Sequence, residues 1–194
     1  NMIQSNILGE VNYAHSMFSF PIQPARFYRI NRAIKNGGGA LWDIGPYAIH
    51  TLRQCFKENP VRVYAQSKLN EHGADISTTG MLDFGYSKRA TFDISFECTR
   101  RSEFEVFGPN GRAKCPTVWQ PENMTAKILY STEKSGAQEE IVPQANHFEL
   151  EFKHFNEAIL KNLNSKVTAE DSLVNVRTLV ALQKSIESSE WINL

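Results

Sequence analysis

The chain has 194 residues, of which 41% are hydrophobic and 22% are charged, a composition typical of one large folded domain rather than a disordered tail. Lysine plus arginine and aspartate plus glutamate both number 21, so the balanced charge gives no reason to expect a nucleic acid or an anionic membrane as a partner. No apolar run approaches the roughly 20 residues that a membrane-spanning helix needs.

The cysteines are odd in number and widely spaced, at Cys55, Cys98 and Cys115. They form no CxxC pair and no metal-ligand spacing, so three reduced, partly buried thiols are expected and no metal site is predicted. No signal peptide stands at Asn1, but its absence is uninformative if the true N-terminus is missing, so the compartment, cytoplasmic or periplasmic, stays open.

The first segment ends in a helix stop. Residues 1–5 carry no helix-start signal and run into Asn6 and Gly9, residue types that commonly end helices, so we expect a domain that has lost what precedes it. Residues 11–20 alternate in polarity and predict a strand. Residues 25–36 are basic, lack a clean periodicity and are predicted to form a long loop of a kind that often carries function.

A glycine run and a helix follow. Residues 37–39 are three glycines, and residues 43–56 have helical apolar spacing, with Pro46 tolerated in the first turn. Most of residues 60–142 is predicted to be strands joined by tight turns at 83–88 and 108–111. The predicted strands are residues 61–67, 77–84, 90–96, 103–107, 113–114, 126–130 and 139–142.

Two helices and a short strand are predicted to close the chain. Asn146 and Thr168 are suitable helix caps, with Glu149 and Asp171 at the third helical positions. Apolar stripes are expected at two sets of positions: Phe148, Phe152, Phe155 and Ile159 in the first helix, and Leu173, Val176, Leu179 and Val180 in the second. Residues 191–194 read as a final strand. The element order predicts an α+β domain, a large, mostly antiparallel sheet with helices on one face.

The segment most suited to chemistry is Gly-Gly-Gly-Ala-Leu-Trp-Asp-Ile-Gly-Pro-Tyr-Ala-Ile-His at residues 37–50. If a helix begins near Asp43, then Tyr47 lies four residues on and His50 three further, so an acid, a phenol and an imidazole share one face and could transfer protons. The structural alternative is that Asp43 caps the helix, Tyr47 lies on the surface and His50 is a core residue.

This segment resembles the GGGALxDIGxY motif of the Gfo/Idh/MocA family (glucose-fructose oxidoreductase and inositol dehydrogenase), especially the glucose-fructose oxidoreductase-like branch. Further resemblances follow in the family's order and span nearly the whole chain. They are Leu-Gly-Glu-Val at 8–11, Phe-Tyr-Arg at 27–29, Phe-Glu-Val-Phe-Gly-Pro-Asn-Gly at 104–111, Asn-His-Phe-Glu at 146–149 and Phe-Asn-Glu-Ala-Ile at 155–159.

The resemblance implies that residues 1–194 form the C-terminal substrate and oligomerisation domain of a two-domain oxidoreductase. The family's N-terminal Rossmann domain carries a GxGxxG and a Glu-Lys-Pro motif, and neither occurs in this sequence. The cofactor implied is NAD or NADP, bound mainly by that other domain, and the substrate implied is a sugar or related polyol. A homodimer or homotetramer formed through the open sheet face is also implied.

The resemblance also implies roles for individual residues. Tyr47 is the expected catalytic acid/base, because a lysine ammonium from the other domain would lower the phenol's unperturbed pKa of roughly 10. Asp43 is the second catalytic residue, expected to orient the substrate or the lysine. His50 and His147 are expected to bind substrate. Arg29, Gly38 and Gly39 are expected to approach the cofactor. Core packing for His50, and solvated positions for Arg29 and His147, are the structural alternatives.

Three functional hypotheses follow from the sequence. The chain is half of a sugar oxidoreductase that needs its nucleotide-binding domain and is inactive alone; or a stand-alone binding and assembly module; or part of an NAD-dependent glycosidase of the same family, which oxidises its substrate transiently. Nothing in this sequence separates the first hypothesis from the third.

Overall fold

The computed structural model describes residues 6–119 and 125–194, and its main feature is one large β-sheet. The prediction of a helix ending within residues 1–5 lies outside the described residues. The strands are β1 (Tyr13–Ser19), β2 (Arg62–Leu69), β3 (Asp75–Gly85), β4 (Lys88–Ser95), β5 (Arg101–Gly108), β6 (Gly111–Cys115), β7 (Lys127–Thr132), β8 (Gly136–Ile141) and β9 (Ile192–Asn193).

The nine strands lie in the order β8-β7-β6-β5-β1-β4-β3-β2-β9, so the first strand occupies the centre. β1 pairs in parallel with β4, with His15 opposite Thr91, and antiparallel with β5, with His15 opposite Glu105. Every other neighbouring pair is antiparallel. Short turns join β3 to β4, β5 to β6 and β7 to β8, whereas the parallel β1–β4 pair requires a long connection, which carries the glycines and the first helices.

The helices are α1 (Ala40–Asp43), α2 (Gly45–Phe56), α3 (His147–Leu160) and α4 (Ala169–Ser188). α2 packs against β1 and β4, and α4 packs against β2 and α2. The alternating residues Ala14, Ser16 and Phe18 of β1 are buried beneath this helix layer, because side chains of a strand point alternately to opposite faces. The predicted α+β architecture is therefore confirmed.

The connection after β1 differs from its prediction. Residues 25–36 are not a plain loop, because two short 3-10 helices form at Pro24–Arg29 and Ile34–Asn36. The predicted helix start at Asp43 is wrong: Asp43 ends α1, and Ile44 is the N-cap of α2. Pro46 lies in the first turn of α2, as predicted, where its missing N–H costs no helical hydrogen bond.

The two C-terminal helices begin as predicted. The Asn146 side chain accepts from the N–H groups of Phe148 and Glu149, and the Thr168 side chain accepts from the N–H of Asp171. The predicted stripe of α4 is only partly correct: Leu179 is buried, but Leu173, Val176 and Val180 are exposed. Among the described residues, no helix combines the length and apolar character required to cross a membrane.

Candidate active site at the glycine loop and the start of α2

The glycine loop turns back onto its own chain. Gly38 donates its N–H to the carbonyl of Ala33 (3.2 Å), and Gly39 donates to the carbonyl of Arg29 (2.8 Å). A Cβ on Gly38 would lie 2.0 Å from the carbonyl oxygen of Arg32, and a Cβ on Gly39 would lie 1.8 Å from Oδ1 of Asp75. Gly39 also has a φ of +96°, so only glycine fits this turn without strain.

Asp75 is the buried anchor beneath this loop. Its Oδ2 accepts from the N–H of Leu41 (2.8 Å) and from the hydroxyl of Thr78 (2.6 Å), whereas Oδ1 is buried without a hydrogen-bond partner. Burial raises the pKa of Asp75 to about 6, and the hydrogen bonds from Thr78 and Leu41 act in the opposite direction. The carboxyl therefore fixes the start of α1 and the position of Gly39.

Arg29 and Asp43 form a partly exposed ion pair next to the glycine loop. One guanidinium nitrogen of Arg29 lies 2.5 Å from both carboxylate oxygens of Asp43, and Nε donates to the hydroxyl of Tyr28. The hydrogen bonds to Tyr28 and Asp43 raise the pKa of Arg29 above its ordinary value. Because the pair joins the loop to the end of α1, it fixes the backbone just ahead of α2.

Tyr47 lies in the first turn of α2, with about half of its surface exposed (52%). Its ring meets the edge of Phe18 at a centroid distance of 5.7 Å, and Phe18 stacks on Trp119 at 4.9 Å. The backbone N–H and carbonyl of Trp119 are both bonded to the hydroxyl of Ser102, at 2.8 Å and 2.7 Å. The tyrosine thus stands on a rigid aromatic base with open space on its other side.

His50 lies one turn after Tyr47 and approaches α4. Its Nδ1 is 3.3 Å from Oδ2 of Asp171, whose other oxygen accepts a hydrogen bond from buried Arg53 (2.8 Å). Arg53 also donates to Asn59 and Asn175, so these contacts lock α2 to α4. Because the helix breaks at Ile44, Tyr47 and His50 share one continuous helix but Asp43 precedes it.

His147 is separate from this group. It is the first residue of α3, and its ring lies 4.3 Å from that of Phe148. Within residues 6–119 and 125–194, no described contact joins His147 to Asp43 or Tyr47. The structure therefore brings Arg29 and Asp43 together and sets Tyr47 beside His50, and it leaves the predicted substrate-binding role of His147 a prediction.

Gly38 and Gly39, predicted to contact the cofactor, use their N–H groups within the chain. They offer no set of free N–H donors of the kind that cradles a phosphate, so contact with a cofactor would come from close backbone approach. The predicted cofactor contacts of Arg29, Gly38 and Gly39 therefore stay predictions.

Four supporting residues were not singled out as site residues from the sequence: Phe18, Asp75, Trp119 and Asp171. The Asp171 carboxylate bonds to Arg53 and Gln54, which lie 118 and 117 residues away in the sequence, so no local spacing signals these contacts. Only the alternation of β1 placed Phe18 on a defined face.

Cys55 is buried and Cys115 is partly buried, but Cys98 is exposed, so the expectation of three partly buried thiols is wrong for Cys98. Burial raises the pKa of Cys55 to about 12 and that of Cys115 to about 11, which keeps both thiols protonated at neutral pH. In the part of the chain that the structure describes, no three His, Cys, Asp or Glu side chains are grouped as a metal site.

The family assignment follows from this fold and from the sequence match. Residues 1–114 match the model of the GFO/IDH/MocA C-terminal domain, and the chain belongs to this family. The family prediction made from the glycine motif is thereby confirmed.

Its relatives are oxidoreductases. The chain is 29% identical over 198 residues to an uncharacterized oxidoreductase of Rhizobium meliloti, a match that covers 98% of this chain and 58% of the relative. It is 26% identical over 190 residues to D-xylose 1-dehydrogenase (NADP(+)) 2 of Haloferax volcanii, covering 96% and 57%. The chain thus spans less than two thirds of the length of these relatives.

Solved structures show the same fold. Aldose-aldose oxidoreductase from Caulobacter crescentus, complexed with glycerol, superposes with a TM-score of 0.86 at 23% identity, covering 100% of this chain and 58% of that one. A 3-ketoreductase from Actinomadura kijaniata, in complex with NADP and TDP-benzene, gives a TM-score of 0.83 at 21% identity, covering 95% and 56%.

Proposed function

We propose that this chain is the substrate-binding, catalytic-residue and dimerisation half of an NAD(P)-dependent oxidoreductase that acts on a CH–OH group of a sugar or related polyol. The observation that carries the proposal is Tyr47, half exposed and in ring contact with Phe18, four residues after the Asp43 that pairs with Arg29, in a family whose relatives include an NADP-dependent xylose dehydrogenase. A Rossmann domain outside this chain would bind most of the cofactor.

Tyr47 is the proposed acid/base. A bound NAD(P) would accept a hydride from the substrate carbon or donate one to it. Tyr47 takes the proton from the substrate hydroxyl during oxidation and returns it during reduction. The rigid contact with Phe18 holds the ring in place, and the exposed side of the phenol leaves room for both the substrate and a cation from the other domain.

Asp43 acts through Arg29 in this proposal. Because its carboxylate is already paired with the guanidinium, Asp43 is a poor candidate for the base itself and a good one for orienting the loop that meets the nicotinamide. Arg29 and the glycine loop then form the cofactor side of the site, as the resemblance implies.

The substrate side is formed by Trp119 and the two histidines. The partly buried indole of Trp119 continues the aromatic wall beside Tyr47, and such a wall suits the C–H face of a sugar ring. His50 directs Nδ1 toward Asp171, which leaves Nε2 for a substrate hydroxyl. His147 would complete the site from the start of α3.

The test of this assignment is Tyr47→Phe in the full-length enzyme. We expect kcat to fall about 100-fold or more, with the Kd for NAD(P) changed less than about threefold, because the variant loses the proton acceptor and keeps the cofactor site. Steady-state kinetics on a panel of aldoses and polyols, with cofactor binding measured by fluorescence, gives both values.

Tyr86→Phe is the matched control, because Tyr86 lies at the tip of the β3–β4 hairpin and is 98% exposed. Its turnover should stay close to that of the parent enzyme. Unchanged turnover in Tyr47→Phe would remove Tyr47 from the mechanism.

Dimerisation is assigned to the open face of the sheet. Among the described residues this face carries His15, whose Nδ1 lies 2.7 Å from the hydroxyl of Thr91, and the ion pair of Lys114 with Glu103 (2.6 Å). Burial lowers the pKa of His15, so the imidazole favours its neutral form and can be covered at little electrostatic cost.

Leu129→Asp tests this assignment. Leu129 is 37% exposed and lies opposite Lys114 on the same face, so a carboxylate there would be desolvated in a dimer. We expect the dimer Kd, measured by sedimentation velocity, to rise about tenfold or more. Tyr86→Asp, at an exposed hairpin tip, is the control and should not change it. A parent enzyme that sediments as a monomer would contradict the assignment.

A further inference from the structure

A row of three polar side chains runs from the core toward the surface at α2. It begins at Arg53, whose side chain is 4% exposed, continues to Asp171 (23%) and ends at His50 (34%). Arg53 and His50 belong to α2, whereas Asp171 lies in the first turn of α4. The row therefore leads from a buried charge to an imidazole that a ligand can reach.

Hydrogen bonds hold Asp171 in place through both its side chain and its backbone. Its Oδ1 accepts from Nη2 of Arg53 (2.8 Å) and from Nε2 of Gln54 (3.3 Å). Its carbonyl accepts from Nη1 of Arg53 (3.2 Å), and its N–H donates to the hydroxyl of Thr168 (3.1 Å). Because the backbone and one carboxylate oxygen are fixed, the direction of the other oxygen, Oδ2, is fixed as well.

Oδ2 of Asp171 faces His50. Among the described residues this oxygen is buried without a hydrogen-bond partner, and Nδ1 of His50 lies 3.3 Å from it. A buried carboxylate oxygen without a donor is unfavourable, and a small rotation of the imidazole would direct an N–H at it. That bond requires the ring proton on Nδ1. Because a neutral imidazole carries one ring proton, Nε2 is then left as a hydrogen-bond acceptor.

The position of His50 gives this acceptor a use. His50 follows Tyr47 by three residues in α2, and side chains at this spacing lie about 5–6 Å apart on one side of a helix. The two polar ends can therefore contact two oxygens of one small ligand. An acceptor nitrogen binds a hydroxyl, which can donate, but not a carbonyl oxygen, which only accepts.

The change in the reacting hydroxyl assigns the two contacts. The hydroxyl that loses its proton to Tyr47 becomes a carbonyl on oxidation, so it cannot donate to Nε2 of His50 in both substrate and product. A hydroxyl on the adjacent carbon keeps its proton throughout the reaction and can donate to Nε2 in both states. A ligand with two neighbouring hydroxyls therefore satisfies both side chains.

We propose that Asp171 is a positioning residue that holds His50 with its proton on Nδ1, so that Nε2 accepts a hydrogen bond from the substrate hydroxyl next to the one that reacts. The inference rests on the proposed function, which assigns the reacting hydroxyl to Tyr47. It narrows the substrate to compounds with hydroxyls on two adjacent carbons, one of which is oxidised. Asp171 itself does not touch the substrate.

The first measurement is the tautomer of His50 in the full-length protein. Histidine rings are labelled with nitrogen-15, and spectra are recorded at about pH 8, above the range in which free histidine titrates. The signal that is missing in His50→Gln identifies His50. We expect the proton on Nδ1 in the parent. Asp171→Asn should move it to Nε2, because the new amide can donate to Nδ1 while its oxygen still accepts from Arg53.

Kinetics test the substrate contact. The parent should oxidise the best aldose or polyol of the panel about tenfold more efficiently, in kcat/KM, than the analogue that lacks the hydroxyl next to the reacting carbon. His50→Leu should reduce this preference to about twofold or less, whereas His50→Gln, which keeps an acceptor oxygen, should retain part of it. The loss should fall mainly on KM, because the contacted hydroxyl does not change during the reaction.

A double-variant cycle separates positioning from a structural role. Asp171→Asn should raise KM about fivefold in the parent but change it less than about twofold in His50→Leu, because its effect passes through His50. Asn59→Ala is the matched control: it also removes a hydrogen bond of Arg53 (3.1 Å), and the described contacts of Asn59 include neither His50 nor Asp171. It should leave KM and the tautomer unchanged.

Three results would overturn the proposal. They are a proton on Nε2 of His50 in the parent, the same tautomer in the parent and in Asp171→Asn, and an equal rise in KM on Asp171→Asn with and without His50. Each of them would leave Asp171 as a tether between α2 and α4.

These outcomes also separate the inference from the proposed function. If Tyr47→Phe abolishes turnover but the parent does not discriminate against the deoxy analogue, the proposed function stands and this inference fails. If the parent oxidises no aldose or polyol, the proposed function fails and the substrate contact fails with it, whereas the tautomer measurement still decides whether Asp171 orients His50.

Discussion

Two regions of the molecule differ in how much of their surface is buried within this chain. They are the corner formed by residues 37–56 and the outer part formed by β7, β8 and α3. In the corner Leu41, Ile49 and Leu52 are fully buried, and buried Asp75 and Arg53 bond the elements together. In the outer part every residue of β8 is exposed, and Ala158 is the one buried residue of α3. One chain therefore contains a region that specifies its own geometry and a region that depends on what covers it.

This difference matters for function because the candidate catalytic residues lie in the corner, which is stabilised by contacts within the chain. Tyr47 and His50 project from a helix that is fixed by contacts within the chain, so their positions are set before any other domain arrives. The outer part instead carries the exposed apolar side chains of α3, among them Phe152 and Phe155.

Glycine substitutions should show the largest contrast between the two regions. Gly39→Ala should lower the free energy of unfolding by about 4 kcal/mol, because φ is +96° and the new Cβ would meet Asp75. Gly136→Ala, in the β7–β8 turn with φ +60° and open space around it, should cost about 1 kcal/mol. Urea denaturation of both variants measures the two values. Similar losses would mean that the corner is no more rigid than the outer hairpin.

The pH dependence of stability should single out Asp75. Its pKa in the folded state is about 6, above the ordinary 3.8, so the folded state holds the proton more tightly than the unfolded chain. The stabilisation is complete below about pH 4 and is lost as the pH rises through 6, by about 2–3 kcal/mol.

Asp75→Asn isolates this effect. The variant keeps an acceptor for Leu41 and Thr78 but cannot ionise. The difference in unfolding free energy between the parent and Asp75→Asn should therefore shift by that amount between pH 4 and pH 7, as measured by urea denaturation at each pH. A difference that stays constant over this range would show that Asp75 does not titrate as its burial implies.

Ion pairs should give the smallest contrast. Asp43→Asn should cost about 1 kcal/mol of stability, because the Arg29–Asp43 pair is partly shielded, with side chains 29% and 22% exposed. Glu139→Gln, which breaks the more exposed pair with Lys127, should cost no more than about 0.3 kcal/mol. Thermal denaturation in low and high salt compares the two variants. Equal losses of stability would mean that the ion pair in the corner contributes no more than the one in the outer part.

The sequence predicted most elements and the family because their signals are local. Helix caps at Asn146 and Thr168, the alternation along β1 and the glycine motif are each read within a few residues. The glycine motif also indicated Tyr47 as the candidate acid/base, and the structure places this residue in the first turn of α2.

What the sequence could not supply are contacts between distant segments. The helix start was misplaced because Asp43 is a good cap by residue type. In the structure Asp43 pairs with Arg29 and ends α1, a separate short helix whose Leu41 N–H is bonded to Asp75. The predicted stripe of α4 was partly wrong because Leu173 and Val176 have the right spacing but are about half exposed. Apolar periodicity marks a buried face without saying whether this domain or another one buries it.

The parallel pairing of β1 has a consequence for synthesis. The central strand is made early, but its neighbours β4 and β5 come later, and His15 meets Thr91 only 76 residues further along. At about 5–20 residues per second, the ribosome needs roughly 4–15 seconds to add that length. During this interval the two strands that flank β1 in the folded sheet have not yet been completed, so the sheet can form only after β4 and β5 are synthesised.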